Sequence, residues 1–124
     1  MSNNGLTKSY TAGGAINPFR IVKFGSNDFE VVQGAAATDA LVGVSTEIDA
    51  ASGERVDVVQ AGIADVKLGG SVTRGGLVTS DASGQGVAAA PAAGANNRVI
   101  GVALISGVSG DIIPVMISQG SVQG

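Results

Sequence analysis

The stretch "ERVDVVQAGIADVKL" (Glu54–Leu68) holds two alternating segments separated by Ala61 and Gly62. In "ERVDVVQ" (Glu54–Gln60), Val56 and Val58 share one face while Arg55 and Asp57 share the other. In "IADVKL" (Ile63–Leu68), Ala64, Val66 and Leu68 stand opposite Asp65 and Lys67. A period of two sends successive side chains to opposite faces of an extended chain, so both segments predict strands with one buried face. Working outward, short apolar runs bounded by Gly, Asn, Asp and Ser predict more strands. "RIVKF" (Arg20–Phe24), "GSND" and "FEVVQ" (Phe29–Gln33) read as a hairpin, and "LVGVS" (Leu41–Ser45) as the next strand. "GLVTS" (Gly76–Ser80), "DASGQG" (Asp81–Gly86) and "VAAA" (Val87–Ala90) read as strand, turn and strand. "RVIGVALI" (Arg98–Ile105) and "DIIPVMIS" (Asp111–Ser118) complete the set. "AAATDA" (Ala35–Ala40) suits a loop or a single helical turn, and "PAAGANN" (Pro91–Asn97) a flexible loop. No segment sustains an apolar period of 3.6, so long helices are not expected. The predicted fold class is all-β: a small β-barrel or β-sandwich-like domain with an extended N-terminal arm.

One pattern occurs twice. "LVGVSTEIDAASGERVDV" (Leu41–Val58) and "VIGVALISGVSGDIIPV" (Val99–Val115) each run Gly-Val, loop, Gly, acid, alternating strand. Gly43 matches Gly101, Gly53 and Glu54 match Gly110 and Asp111, and Val56 and Val58 match Ile113 and Val115. Two copies are too few for a solenoid but suit two equivalent hairpins in a barrel or sandwich. Pro114 falls where Asp57 sits in the first copy, on the outward face. Proline offers no ladder donor, which predicts an edge position for it.

The length of 124 residues fits one domain. Aromatics are only 3% of the chain, so the core is built from small residues that bury little area each. A domain of this size buries about two-thirds of its unfolded surface, and oligomerisation or docking on a partner is expected to add to its stability. The net charge is −3 and the basic residues are scattered, which argues against a nucleic-acid partner. No apolar run approaches the roughly 20 residues of a membrane-spanning helix, and no membrane partner is expected. The N-terminus lacks a basic stretch leading into an apolar one, so synthesis in the cytoplasm is expected.

Candidate chemistry is sparse. The chain has no cysteine and no histidine, which removes thiolate chemistry and the commonest general base. "DASGQG" supplies one acid where a calcium loop needs several, so it reads as a tight turn. Glu47 and Asp49 could face a cation, but they read as solubilising charges on an exposed loop. Gly107-Val108-Ser109-Gly110 lacks nucleophile-elbow spacing, and no Ser-x-x-Lys occurs. The pairs Gly13-Gly14, Gly69-Gly70 and Gly75-Gly76 have no following Gly-Lys-Ser/Thr, so they read as turns and not as phosphate cradles. No enzymatic activity, cofactor or metal is expected.

The ordered succession of three stretches carries a resemblance. They are "GGAINPFRIVKF", "VGVSTEIDAASGERVDVVQAGIADVKLGGSVTRGGLVTSDASGQGVAAA" and "VIGVALISGVSGDIIPVMI". Together they resemble the small capsid cement, or head decoration, proteins of tailed bacteriophages, over roughly residues 12 to 117. The resemblance implies a structural virion protein, made in the host cytoplasm, whose β-rich domain binds the outer face of the assembled major capsid protein lattice and stabilises it. It implies residues 1–14 as an arm, 15–118 as the capsid-binding domain and 119–124 as a tail. Leu6, Lys8 and Tyr10 on the arm, and Glu47, Asp49, Asn96 and Asn97 on loops, are the expected capsid contacts. Residues 1–10 show no strand pattern, so the arm is expected to contribute little to folding. By analogy with other head decoration proteins the chain is expected to associate with itself, as a trimer before a dimer. The alternative is a β-barrel binding module of a cellular assembly, with carbohydrate as the candidate ligand. One Tyr and no Trp leave little for stacking on sugar rings.

Overall fold

The computed structural model describes residues 6–123. Their strands are β1 (Thr7–Ala12), β2 (Ile21–Phe24), β3 (Glu30–Gln33), β4 (Leu41–Ser45), β5 (Arg55–Val59), β6 (Gly62–Lys67), β7 (Leu77–Ser80), β8 (Gly86–Ala88), β9 (Asn96–Ala103) and β10 (Ile112–Gln123). No helix occurs among the described residues. The all-β class and the small barrel are as the alternation predicts. The β2–β3 hairpin is present with Val22 opposite Gln33 and Phe24 opposite Val31. Val56 and Val58 point inward from β5, and Ala64, Val66 and Leu68 are buried while Asp65 is exposed.

The first five strands close into a barrel in the order β1-β3-β2-β4-β5, with β5 returning to β1. The last five form a sheet in the order β6-β10-β9-β7-β8. Replacing each strand of the barrel by the one five places later gives that same order. The two halves are therefore tandem copies of one unit, and the internal repeat extends well beyond the matched hairpins. Details agree pair by pair. The Glu54 carboxylate accepts from Ala51 N–H at 2.7 Å, and Asp111 accepts from Val108 N–H at 2.9 Å. Ala12 N–H donates to Glu54 C=O, and Leu68 N–H to Asp111 C=O, both at 2.8 Å. Gly53 and Gly110 take left-handed conformations at φ +89° and +94° in the two turns, which glycine adopts without strain.

The copies differ where the barrel closes. In the first, β1 and β3 pair in parallel through Thr11–Glu30 and Ala12–Val31. In the second, the equivalent contact is a single parallel bridge, Leu68–Gly86. The sizes are exchanged: small Ala12 faces large Val31, whereas large Leu68 faces Gly86. A Cβ on Gly86 would lie 3.0 Å from Val66 and Val78 and 3.3 Å from Leu68. The swap keeps the filled volume similar, the kind of change a core tolerates.

The interiors correspond residue by residue. Tyr10, Val22, Val42, Val56 and Val58 fill the barrel, and Val66, Val78, Ile100, Ile113 and Val115 fill the same places in the second unit. The second interior also takes in Ile21, Leu41, Val44 and Val59 from outside the barrel wall. Backbone bonds join the units: Ile21 N–H to Gly84 C=O at 2.8 Å, and Lys67 N–H to Phe19 C=O at 3.0 Å. Gln119 Nε2 donates to Val42 C=O at 2.6 Å and to Gln60 C=O at 2.9 Å.

Three expectations are corrected. Thr7–Ala12 is a barrel stave paired on both sides, so residues from Thr7 on do not form a separate arm. Leu6 already bonds to Ala61 through its N–H. Alternation was hidden because polar Thr7, Lys8, Ser9 and Thr11 surround only two buried side chains, Tyr10 and Ala12. Residues 1–5 lie outside the described residues. The tail expected from residue 119 is also strand, since β10 continues to Gln123 after a bulge and pairs there with Asn96–Val99. Pro114 sits on the central strand β10, between β6 and β9, and not at an edge. It is accommodated because its carbonyl, on the same side as its nitrogen, accepts from Leu104, just past the end of β9. The missing N–H falls where that ladder has finished.

Gly43 and Gly101 share a further constraint: a Cβ on Gly43 would drive into Val59 C=O, and one on Gly101 into Met116 C=O. Both obstacles are backbone. Gly43→Ala and Gly101→Ala are each expected to destabilise the protein by about 2–3 kcal/mol. Gly120→Ala, where nothing lies within 4 Å, serves as the near-neutral control. Urea unfolding midpoints check the pair, and a neutral Gly101→Ala would refute the close approach.

Candidate functional site

The β2–β3 hairpin ends in a tip, Phe24–Phe29, that carries two outward aromatic rings. Phe24 is 57% exposed and Phe29 68% exposed. Phe29 has φ +61°, a region that bulky L residues rarely occupy. Phe19, at φ +60°, is the other non-glycine residue with positive φ among the described residues. In the second unit the corresponding positions are Gly75 at +85° and Gly84 at +72°. The repeat thus places glycine where the backbone asks for it, and the first unit departs from this twice. Phe19 is half-buried between the units, where its C=O accepts from Lys67 and its N–H donates to Thr46. Phe29 has no such packing role: its ring faces water while its backbone is strained, at a cost of about 1 kcal/mol or more.

The tip is held rigid by its own chain. Thr11 N–H donates to Phe29 C=O at 2.8 Å, and Gly25 N–H to Glu30 C=O at 2.9 Å. Glu30 turns its carboxylate back into the loop, accepting from Ser26 N–H at 2.7 Å and from Asn27 N–H at 3.3 Å. Its other oxygen accepts from Asn27 Nδ2 at 3.3 Å. The Ser26 backbone bond, then the Asn27 side chain, favour the charged carboxylate and hold its pKa below the ordinary value of 4.5. Lys8 Nζ lies 5.2 Å from the Phe29 ring centre and 5.8 Å from that of Tyr10. The arrangement is a preorganised aromatic tip flanked by one ammonium group, suited to protein contact. Aromatic side chains are enriched at the cores of such contacts.

The residues expected from sequence are spread over several surfaces. Leu6 and Lys8 are exposed at the start of β1. Tyr10 is 8% exposed, its ring lies in the barrel interior, and its hydroxyl accepts from Gln60 Nε2 at 2.6 Å. It is therefore a core residue, which corrects its expected role as an anchor on a free arm. Glu47 and Asp49 are exposed in the β4–β5 loop, which the Gly53–Ala12 bond ties to the finishing end of β1, away from Leu6. Asn96 and Asn97 belong to β9, pairing with Gln123 and Val122, and line a groove of about 620 Å³ that also touches Thr38 and Leu41. Lys8 is the expected residue that joins the aromatic tip. Asp81 accepts from Ser83 and Gln85 N–H in a tight turn, as read from "DASGQG". Among the described residues no three carboxylates converge. Phe29 was missed because it reads as the first residue of a strand. Only aligning the two units, which sets it against Gly84, reveals it.

Comparison with known families gives a model described as phage cement protein, matched over residues 2–117. The chain belongs to this phage cement protein family. It is thus a structural phage protein, as the resemblance in its sequence implies. Its fold is shared with a solved structure, the head fiber gp8.5 N base of bacteriophage phi29, with a TM-score of 0.68 at 18% identity. The match covers 91% of this chain and 93% of that one. A search of curated proteins finds no match.

Two predictions concern the tip of this cement protein. Phe29→Gly is expected to melt no lower than the parent, because glycine relieves the left-handed strain as Gly84 does in the second unit. A loss of about 1 kcal/mol or more would make the ring a structural element. The second concerns acid. Glu30 has a depressed folded pKa, so its contribution is fully present above the unfolded value near 4.5 and is lost as pH falls through the folded value. Amide exchange at Ser26 and Asn27, corrected for intrinsic rates, should lose protection over that interval. Unchanged protection at lower pH would refute the carboxylate clamp.

Proposed function

We propose that this cement protein attaches to the outer surface of the assembled phage capsid and stabilises the shell without catalysing a reaction. The observation that carries this reading is Phe29, a strained aromatic held out to solvent on a braced hairpin in a member of a cement family. Its cost to the fold is offset when a partner covers the ring. The partner is the major capsid protein, and the chain occupies the virion surface after synthesis in the host cytoplasm. Phe24, Phe29 and Lys8 supply one contact, with Leu6 at the start of β1, Glu47 and Asp49 on a loop, and Asn96 and Asn97 on the β9–β10 ribbon as further ones. Contacts spread over several surfaces suit a protein that touches more than one capsid subunit. Copies associate with one another, the trimer being the state that the resemblance favours, and multiple attachment then raises the effective concentration of each weak contact. A ligand selective for the assembled lattice stabilises it by mass action and needs no cofactor, metal or covalent bond. The fold's likeness to a phi29 head fiber base is consistent with a place on the phage head.

The test compares stripped and re-decorated particles on heating. Genome release is expected at higher temperature as occupancy rises, and Phe29→Gly is expected to weaken attachment about tenfold or more. Equal release temperatures at zero and full occupancy would overturn the cement role.

A further inference from the structure

The tandem repeat exposes on the second unit a face that is buried on the first. In the first unit, Ile21, Val44 and Val59 form a row across β2, β4 and β5 on the outside of the barrel, with Val44 opposite both Ile21 and Val59. All three are buried, because the second unit packs its interior against them. Their counterparts are Leu77, Val102 and Met116, which form the same row across β7, β9 and β10, with Val102 opposite both Leu77 and Met116. Here Leu77 is 40% exposed and Met116 46% exposed. Pro114 and Ile112, the latter 49% exposed, continue the apolar face along β10. The row lies on the face of the sheet and not at its edge, so a partner would pack side chains there without adding a strand.

We propose that a second copy of this chain covers this face and that the Leu77–Val102–Met116 row is the self-association surface. The proposal rests on the reading of the chain as a self-associating head protein and gives that association a location. Two observations select a second copy. The row is one whose counterpart already serves as the joint between two copies of the unit, so its shape and apolarity suit packing against this unit. The charges beside it are also self-complementary. Asp65 lies opposite Pro114 and Lys67 opposite Ile112, both bordering the apolar face from β6. Neither makes an ion pair among the described residues, where the salt bridges are Lys23–Asp39 and Arg55–Asp57. One acid and one base, two residues apart on one strand, allow neighbouring copies to set Lys67 against Asp65, in an isologous pair or round a closed ring.

Sedimentation velocity of the full chain over a concentration series tests this. Leu77→Glu/Met116→Glu changes only exposed side chains, and thermal melting confirms that the variant folds. Wild type is expected to self-associate, and the double variant to do so about tenfold or more weakly. Phe29→Gly should leave self-association unchanged. Asp65→Lys should weaken it, and adding Lys67→Asp should restore it. A monomeric wild type would overturn the proposal, as would association unaffected by the double variant or a charge exchange that fails to restore it. Particle binding measured in parallel separates the two readings. If the glutamate variant is folded, wild type is monomeric and only particle binding is lost, the face belongs to the capsid partner and self-association through it is refuted. If wild type self-associates through the face yet binds no particle, the surface stands and the cement role fails.

Discussion

The structure depends on one joint: the outer wall of the first barrel serves as part of the core of the second unit. Ile21, Val44 and Val59 are buried only because the second unit surrounds them. Full burial of such a side chain is worth about 1.5–3 kcal/mol, large against the marginal net stability of a small domain. The second unit lacks the full β1–β3-type closure, so its interior is completed by this inserted wall. Neither copy is arranged to stand alone. A chain of small apolar residues thereby gains, through repetition, a continuous core that neither half would fill.

Duplication also frees the copies to diverge. The shared framework is enforced where backbone meets backbone, at Gly43 and Gly101, and where the turns need positive φ, at Gly53 and Gly110. Away from those positions the copies serve different ends. The first unit closes its barrel with Ala12 and Val31 and accepts a strained, exposed Phe29 at its hairpin tip. The second leaves its hairpin relaxed with Gly84 and exposes an apolar sheet face whose counterpart in the first is buried in the joint. Each unit therefore offers a distinct surface, an aromatic tip on one and an apolar row on the other. One fold used twice thus supplies two separate contact surfaces.

Much of the fold was legible in the chain because period-two alternation reports directly on which face is buried. The strands at Arg55–Val59 and Gly62–Lys67 followed from it, whereas Leu41–Ser45, the β2–β3 hairpin and the Asp81 turn followed from short apolar runs and the Gly, Asn, Asp and Ser that bound them. β1 was not legible, since a stave with two inward side chains among polar neighbours has no pattern to detect. Pro114 misled for a related reason: proline removes only a donor, and on this central strand its carbonyl still accepts from Leu104 N–H, just past the end of β9. The candidate site was less legible still. Lys8 was named for its place on a supposed arm, while Phe29 looks like an ordinary strand residue until its φ is known.

The sequence by itself determined that the chain is all-β, that it carries an internal repeat, and that it has neither cysteine nor histidine, because alternation, glycine spacing and residue type are local properties. The repeat's full extent, the joint between its copies, the closure of one barrel and the opening of the other were decided only in three dimensions. So were the burial of Tyr10 and the strain at Phe29. Burial and backbone φ are set by which distant segments meet, and two residues of the same type, such as the fully buried Val44 and the half-buried Val102, acquire different environments from what packs upon them.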